Sequence, residues 1–375
     1  MRRLALASLL ALTCAASALA APPKSASSWA APQIAKVVAA GFLAGSAATF
    51  EPDQPLTQQA LADAVATLNE HLAAPVAPDP EGDPLVVEGS AEPAPPWTPY
   101  VYRAASPAKP VTIAELDRVL VKSLGLARAA EQVRTALVRA GLKPPARTGT
   151  ETVARLLGLR FNHPAGSDDL ELLPGQPATR AEAAFSLAAA LSVDAARRAT
   201  VEELAASLEL PAPTDWQRTI LRSAVRFVGY PYVWAGTGAT ASDNLSRGTQ
   251  PAARSIPPGF DCSGFVWKIY KLTAYAGSGD LASTLRGRTT YEMSGEVGPA
   301  SRIYDPASLE PGDVLFFGAG PKSKPSQVDH EGIYLGGNWM IHSSRYGVTL
   351  IPLDGWWTGS FAWARRPLRE AGLDS

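Results

Sequence analysis

The chain has 375 residues, a formal net charge of −1 and 46% hydrophobic residues. Near-neutral charge excludes a general affinity for nucleic acid or anionic membranes, and the length suits roughly two domains of about 150 residues each.

Residues 1–20 read as an export signal. Arg2 and Arg3 form a basic start, LALASLLALTCAA an apolar stretch and Ala18-Leu19-Ala20 a cleavage site, so a mature chain is expected to begin near Ala21. A buried N-terminal helix is the alternative, but the polar, Pro-containing APPKSASS that follows favours the signal. Cys14 follows Ala11-Leu12-Thr13, a poor match to a lipoprotein attachment site, and is expected to be discarded with the signal. Cys262 is then the one thiol of an exported chain, either a link between chains or a reactive group. No other apolar run approaches the roughly 18 residues of a membrane span, so the mature chain is expected to be soluble or wall-associated.

Residues 29–72 carry helical spacing in WAAPQIAKVVAAGFLAG and TQQALADAVATLNEHL, with the first helix ending at Gly41 or Gly45. The turn before the second recurs twice, giving Pro-x-Thr at Thr57, Thr112 and Thr179, the mark of an internal repeat. Thr112 with Glu115 and Thr179 with Glu182 have capping-box spacing, whereas Thr57 is followed by Ala60 and keeps only the cap.

Residues 29–192 thereby resemble S-layer homology repeats, with the T-R-A-E signature complete at Thr179-Arg180-Ala181-Glu182. The resemblance implies attachment to a cell-wall polymer; packed helical hairpins with ordinary caps are the plain alternative. Pro-rich residues 73–108 read as a linker or long loop, 194–208 as a further helix, and LPAPTD as the boundary of a C-terminal domain covering 215–367, with 193–214 as connection.

In that domain WQRTILRSAVRFVG is an amphipathic helix ended by Gly229, PYVWAG is extended, and residues 236–260 form a long loop. Cys262, Val266 and Ile269 then share one helix face, with Asp261 at the N-cap. A thiol in the first turn of a helix feels the field of unsatisfied N–H groups, which favours thiolate and can hold an oxyanion. A small buried hydrophobe is the other use of such a cysteine.

A nucleophile needs a base. His330-Glu331-Gly332-Ile333-Tyr334 and Trp339-Met340-Ile341-His342 read as strands around Gly336-Gly337-Asn338. A hairpin centred on Gly336 pairs His330 with His342, their Cβ atoms about 4.5 to 5.5 Å apart on one face. A two-residue Gly336-Gly337 loop puts His342 opposite Glu331 instead, so this reading predicts an odd-length loop. His330 would then accept the Cys262 proton while His342 holds its far nitrogen. A metal site would need a fourth ligand beyond these three, and no metal or other cofactor is expected.

GYPYVWAG, FDCSGFV, LEPGDVLFF, HEGIYLG and MIHSS occur in the order found in the NlpC family of papain-like cell-wall cysteine peptidases, which residues 216–367 resemble. The resemblance implies an α+β papain-like domain after an all-α repeat region. It further implies catalytic roles for Cys262, His330 and His342, a substrate-site position beside the nucleophile for Tyr232, and binding of the free amine end of a peptidoglycan stem peptide by Asp261 and Ser263. Asp261 as a plain cap and Tyr232 as a packed aromatic are the alternatives. Asp313 reads as a turn residue before a core strand. Ala235 stands where the family usually has Gly, Glu331 where an apolar residue is common, and the loop 236–260 is long enough to form a lid or wall. The expectation is an exported endopeptidase cutting the γ-D-glutamyl-diamino acid bond. The alternatives are an amidase or acyltransferase on the same fold, or an inactive wall-binding or structural protein.

Overall fold

The computed structural model describes residues 28–73, 98–161, 171–244 and 256–373. Residues 1–20, expected to be an export signal, lie outside them, as do the middle of the Pro-rich segment and residues 245–255 of the long loop.

The first region is helical: α1 (Ala31–Ala39), α2 (Gln58–Ala73), α3 (Ile113–Ser123), α4 (Ala127–Arg139), α5 (Thr148–Leu156), α6 (Arg180–Ala190) and α7 (Ala195–Ser207). Its three Pro-x-Thr turns close a ring. Leu56 N–H donates to Ala178 C=O (2.7 Å), Ala178 N–H to Val111 C=O (2.8 Å) and Val111 N–H to Leu56 C=O (2.8 Å). Each turn thus satisfies its backbone through the next repeat, which explains why the motif recurs. Leu61, Leu116, Leu120 and Leu187 fill the core around the ring.

Thr57, Thr112 and Thr179 each accept from an N–H of the following first turn at 3.2 Å. The predicted capping boxes are only half formed. Glu115 accepts from the Tyr102 hydroxyl (2.8 Å), and Glu182 is buried 3.5 Å from the Arg160 guanidinium, so neither carboxylate turns back to its cap. The described end of the Pro-rich segment is tied to the repeats by Asn69 Nδ2, which donates to Tyr100 C=O at 2.9 Å.

The second region begins with α8 (Asp215–Val225), one turn shorter than the predicted helix, and its Thr214 cap forms a full box with Gln217. Two short strands, β1 (Thr237–Gly238) and β2 (Gly259–Phe260), pair across the long loop and deliver the chain to α9 (Cys262–Trp267). The helix continues as a π turn through Leu272. A five-stranded antiparallel sheet follows: β3 (Val314–Phe317), β4 (His330–Gly336), β5 (Trp339–Ser344), β6 (Gly347–Pro352) and β7 (Phe361–Arg365), in the order β6-β5-β4-β3-β7. Ile333, Leu335 and Ile341 face the core that holds α9 residues Phe265 and Val266; Phe317, Tyr334 and Met340 form a smaller cluster. Asp313 caps the turn before β3, accepting from Glu310 N–H (2.9 Å) and pairing with Arg366 (2.8 Å).

The hairpin differs from its predicted register. Its loop is the two-residue turn Gly337-Asn338, both at positive φ (58° and 64°), as the tightest hairpins require. A bulge between Tyr334 and Gly336 then sets Gly332 opposite His342. Without the bulge the turn would bring Ile333 opposite His342, on the wrong face. The extra residue restores the parity that the predicted odd loop was to supply.

The two regions meet where α5 packs on β6. Buried Arg155 donates to the Gly229 carbonyl (2.8 Å), to the Tyr346 carbonyl and to Glu171 (2.7 Å). No helix among the described residues is long and apolar enough to cross a membrane.

Candidate active site

Asp261 caps α9 by accepting from Gly264 N–H, which leaves Cys262 as the first helical residue. A Cβ at Gly264 would meet the Gly236 carbonyl at 1.9 Å, so only glycine lets the long loop pass this close to the helix start. The sulfur lies 3.6 Å from Thr290 Oγ1 and lines a cleft of about 670 Å³ with Tyr232, Asp261, Ser263 and Asp329, the residue before His330.

His330 Nε2 and His342 Nδ1 are hydrogen-bonded at 2.8 Å. Because Nε2 is engaged, Nδ1 is the nitrogen left for an incoming proton. Trp357 covers both rings, with centroids 5.1 Å from His330 and 4.9 Å from His342. The thiol's contact is with Thr290 rather than with an imidazole in this state.

Burial pushes the His330 imidazole down to about 4. It pushes His342 well below its ordinary value too, with the neighbouring His330 adding to the effect. Burial, then the charges of Asp261 and Glu331, push the Cys262 thiol up to about 12, against the Thr290 hydroxyl and Ser263 backbone that favour thiolate. The helix field expected to ionise the sulfur is thus outweighed, and thiol and imidazoles rest neutral.

Sequence reasoning missed Arg288. Its guanidinium reaches both oxygens of Asp261 (3.1 Å each) and Ser263 Oγ (2.7 Å), while Ala235 N–H donates to Asp261 Oδ2 (2.9 Å). Asp261 is therefore cap, ion-pair partner and loop anchor at once. The visible signal was the Thr289-x-x-Glu292 capping box, which is fully formed and starts the helix Thr290–Gly295 that carries Thr290 to the sulfur. Tyr232 bridges Phe260, which holds it beside the start of α9. Ala235 has φ of 64°, which explains a preference for Gly there. Glu331 is fully buried beneath the site, and burial holds its carboxyl well above the ordinary range.

The NlpC/P60 family profile matches residues 229–366, and the S-layer homology domain profile matches residues 23–62. The C-terminal part of the chain is an NlpC/P60 domain of papain-like fold, and the N-terminal part carries S-layer homology. A γ-D-glutamyl-L-lysine dipeptidyl-peptidase of Bacillus cereus is 32% identical over 144 residues, covering 38% of this chain and 33% of that one. The probable peptidoglycan endopeptidase LytE of Bacillus subtilis is 30% identical over 148 residues, 39% of this chain and 33% of that one. The crystal structure of an NlpC/P60 family protein from Bacillus cereus aligns at 28% identity over 43% of this chain and 42% of that one, with a TM-score of 0.29. The chain thus spans about a third of the length of these curated relatives.

Proposed function

We propose that this protein is an exported cysteine endopeptidase of peptidoglycan, cutting the γ-D-glutamyl-diamino acid bond of stem peptides, and that its repeats hold it to a cell-wall polymer. The observation that carries the reading is the 2.8 Å His330–His342 pair, a base with its ring held by a second imidazole, on the two strands that α9 packs against with a thiol at its start. The names of the relatives support the substrate class.

In this mechanism Sγ leaves Thr290 and gives its proton to His330 Nδ1 as it attacks the γ-carbonyl carbon. Proton transfer accompanies attack because both groups rest neutral. First-turn N–H groups of α9 hold the oxyanion. Collapse breaks the C–N bond, His330 protonates the leaving amine, and a thioester remains. Water, deprotonated by His330, then releases the γ-carboxylate and the thiol. Tyr232, Asp261 and Ser263 would receive the free amine end, with Arg288 already balancing the Asp261 charge.

Purified peptidoglycan digested by the wild type and by Cys262→Ala, with mass spectrometry of the fragments, tests this. The wild type should release peptides that begin with the free α-amine of the diamino acid, leaving γ-D-glutamate at the end of the glycan-bound stub, and Cys262→Ala none. Equal release by both would sink the thiol mechanism, and fragments cut at the lactyl amide would reassign the enzyme as an amidase.

A further inference from the structure

We infer that Trp357 is a positioning residue for the base: its indole, set against both imidazoles, fixes the rotation of the His330 ring and keeps water in the neighbouring cavity from competing for the His330–His342 hydrogen bond. This rests on the endopeptidase reading above.

One hydrogen bond fixes the distance between two rings better than their rotation about it. His330 Nε2 is held 2.8 Å from His342 Nδ1, yet the far nitrogen of His330 must also point at the proton it takes. Contacts on the ring supply the missing constraint. Phe317 of β3 lies 6.0 Å from the His330 centroid and Trp357 5.1 Å, while Trp357 lies 5.0 Å from Phe317 and 4.9 Å from His342. One indole thus braces both members of the pair. Phe317 is a fully buried core residue, whereas Trp357 is half-buried and arrives on the short helix Trp356–Ser360 between β6 and β7. Its neighbour Trp356 is 62% exposed and, among the described ring contacts, meets Trp357 and neither histidine.

A cavity of about 340 Å³ adjoins the pair, lined by His342 and Trp357 together with Arg155, Arg197, Tyr346 and Thr349. Its polar wall suits water, and its volume holds several waters at roughly 30 Å³ each. Trp357 lines this space and His330 does not, so the indole stands between that water and the base. Water reaching Nε2 would offer it a rival partner and would solvate an imidazolium. The charges around the pair are the guanidinium groups of Arg155 and Arg197 in the cavity, Asp329 beside His330 in the Cys262 cleft, and Glu331, buried at the next position of β4. The arginines oppose an imidazolium and the acids favour one. Burial, which holds the His330 imidazole down at about 4, is the cause that decides its neutrality, and Trp357 supplies part of that burial.

Trp357→Ala, Trp357→Phe and Trp356→Ala are compared in two backgrounds. In full-length Cys262→Ala carrying isotope-labelled histidine, NMR follows the protonation of each imidazole without any need for hydrolysis. Trp357→Ala should raise the His330 midpoint by about 1 to 2 pH units, toward the roughly 6.5 of an exposed histidine. Trp357→Phe, with a smaller ring, should give an intermediate midpoint, and Trp356→Ala should leave it in place. In the active enzyme Trp357→Ala should lose about tenfold in kcat on a stem peptide near neutral pH. The loss should deepen at about pH 5, where its His330 carries a proton and the wild-type His330 does not. An unmoved His330 midpoint in both Trp357 variants, or an equal loss of kcat at the two pH values, would overturn the positioning role. A shifted midpoint with no hydrolysis by the wild type would leave Trp357 as the brace of the imidazole pair and remove the endopeptidase activity. Hydrolysis by the wild type with an unmoved midpoint would do the reverse.

Discussion

Gly332 stands opposite His342 across β4 and β5, and a methyl group at position 332 would lie 3.1 Å from the histidine Cβ. The bare glycine lets the His342 ring lean diagonally onto His330. Gly332→Ala should therefore displace His342 and stretch the 2.8 Å bond that orients the base in the proposed mechanism. An error of about 1 Å in such an orientation costs up to roughly 100-fold in rate. We expect kcat on a stem peptide to fall at least about tenfold, with KM and the circular dichroism spectrum little changed. Unaltered kcat would show that His342 does not orient His330.

The neutral thiol and imidazoles set a pH dependence. The unfolded chain protonates His330 below about 6.5, but burial lowers the folded value to about 4. The folded chain thus refuses a proton that the unfolded chain accepts, and stability should fall as pH drops from about 6.5 towards 4, by about 3 kcal/mol for this group. On the alkaline side the folded thiol keeps its proton to about 12, whereas an unfolded thiol ionises near about 8.5. Stability should fall again above that pH, and Cys262→Ser should remove this second loss. Urea titrations across pH check both limbs. The ultraviolet difference between wild type and Cys262→Ala at neutral pH should contain no thiolate absorbance; a thiolate band there would mean a preformed ion pair.

The caps and the helix that begins at Cys262 were legible because their signals are local: Thr112, Thr179 and Asp261 each accept from the N–H three residues on. The hairpin was legible only in part. Alternation allowed both histidines on one face only with an odd-length loop, and nothing in HEGIYLGGNWMIH announced the bulge between Tyr334 and Gly336 that makes a two-residue turn compatible with that face. Contacts between distant segments stayed hidden. Arg288 meets Asp261 across 27 positions, and Glu182 serves Arg160 instead of its own cap. Patterning along one strand or helix does not encode which distant charge arrives.

Arg288 supplies a third prediction. Its ion pair with Asp261 is nearly buried, each side chain 11% exposed. Removing one partner of such a pair costs about 3 to 5 kcal/mol, because the other charge is left uncompensated. Arg288→Ala should lower the urea midpoint accordingly and abolish activity by freeing Asp261 and Ser263. Arg288→Lys should recover part of the stability and less of the activity, since a single ammonium cannot match a contact that reaches both Asp261 oxygens and Ser263. A stable Arg288→Ala protein would show that Asp261 is held by its cap and by Ala235 alone.

Ala235 sits at φ of 64° with its N–H committed to Asp261. An L residue in the left-handed region carries about 1 to 2 kcal/mol of strain that glycine avoids, offset in part by glycine's larger unfolded-state entropy. Ala235→Gly should therefore raise stability by about 0.5 to 1 kcal/mol, seen as a higher denaturant midpoint with an unchanged slope. A lower midpoint would mean that the alanine methyl makes packing contacts worth more than the strain.

Arg160 is the central cation of the helical repeats, 1% exposed and 3.5 to 3.6 Å from Asp117, Glu171 and Glu182. Burial raises the Asp117 carboxyl well above its ordinary range and Glu182 to about 7, and the Arg160 charge is the main influence opposing this in both. Arg160→Met would leave these acids in an apolar interior, where they must take up protons or expel water-seeking charge. Breaking a buried network of this kind costs about 3 to 5 kcal/mol, and here the loss falls on α3, α6 and the segment after α5. The variant should melt at neutral pH well below the wild type and recover part of the difference at lower pH, where the stranded carboxyls are neutral. Pairing Arg160→Met with Glu182→Gln should recover a further part at neutral pH. Melting curves at two pH values for the three proteins decide the matter; a deficit independent of pH would show that Arg160 stabilises by packing rather than by charge.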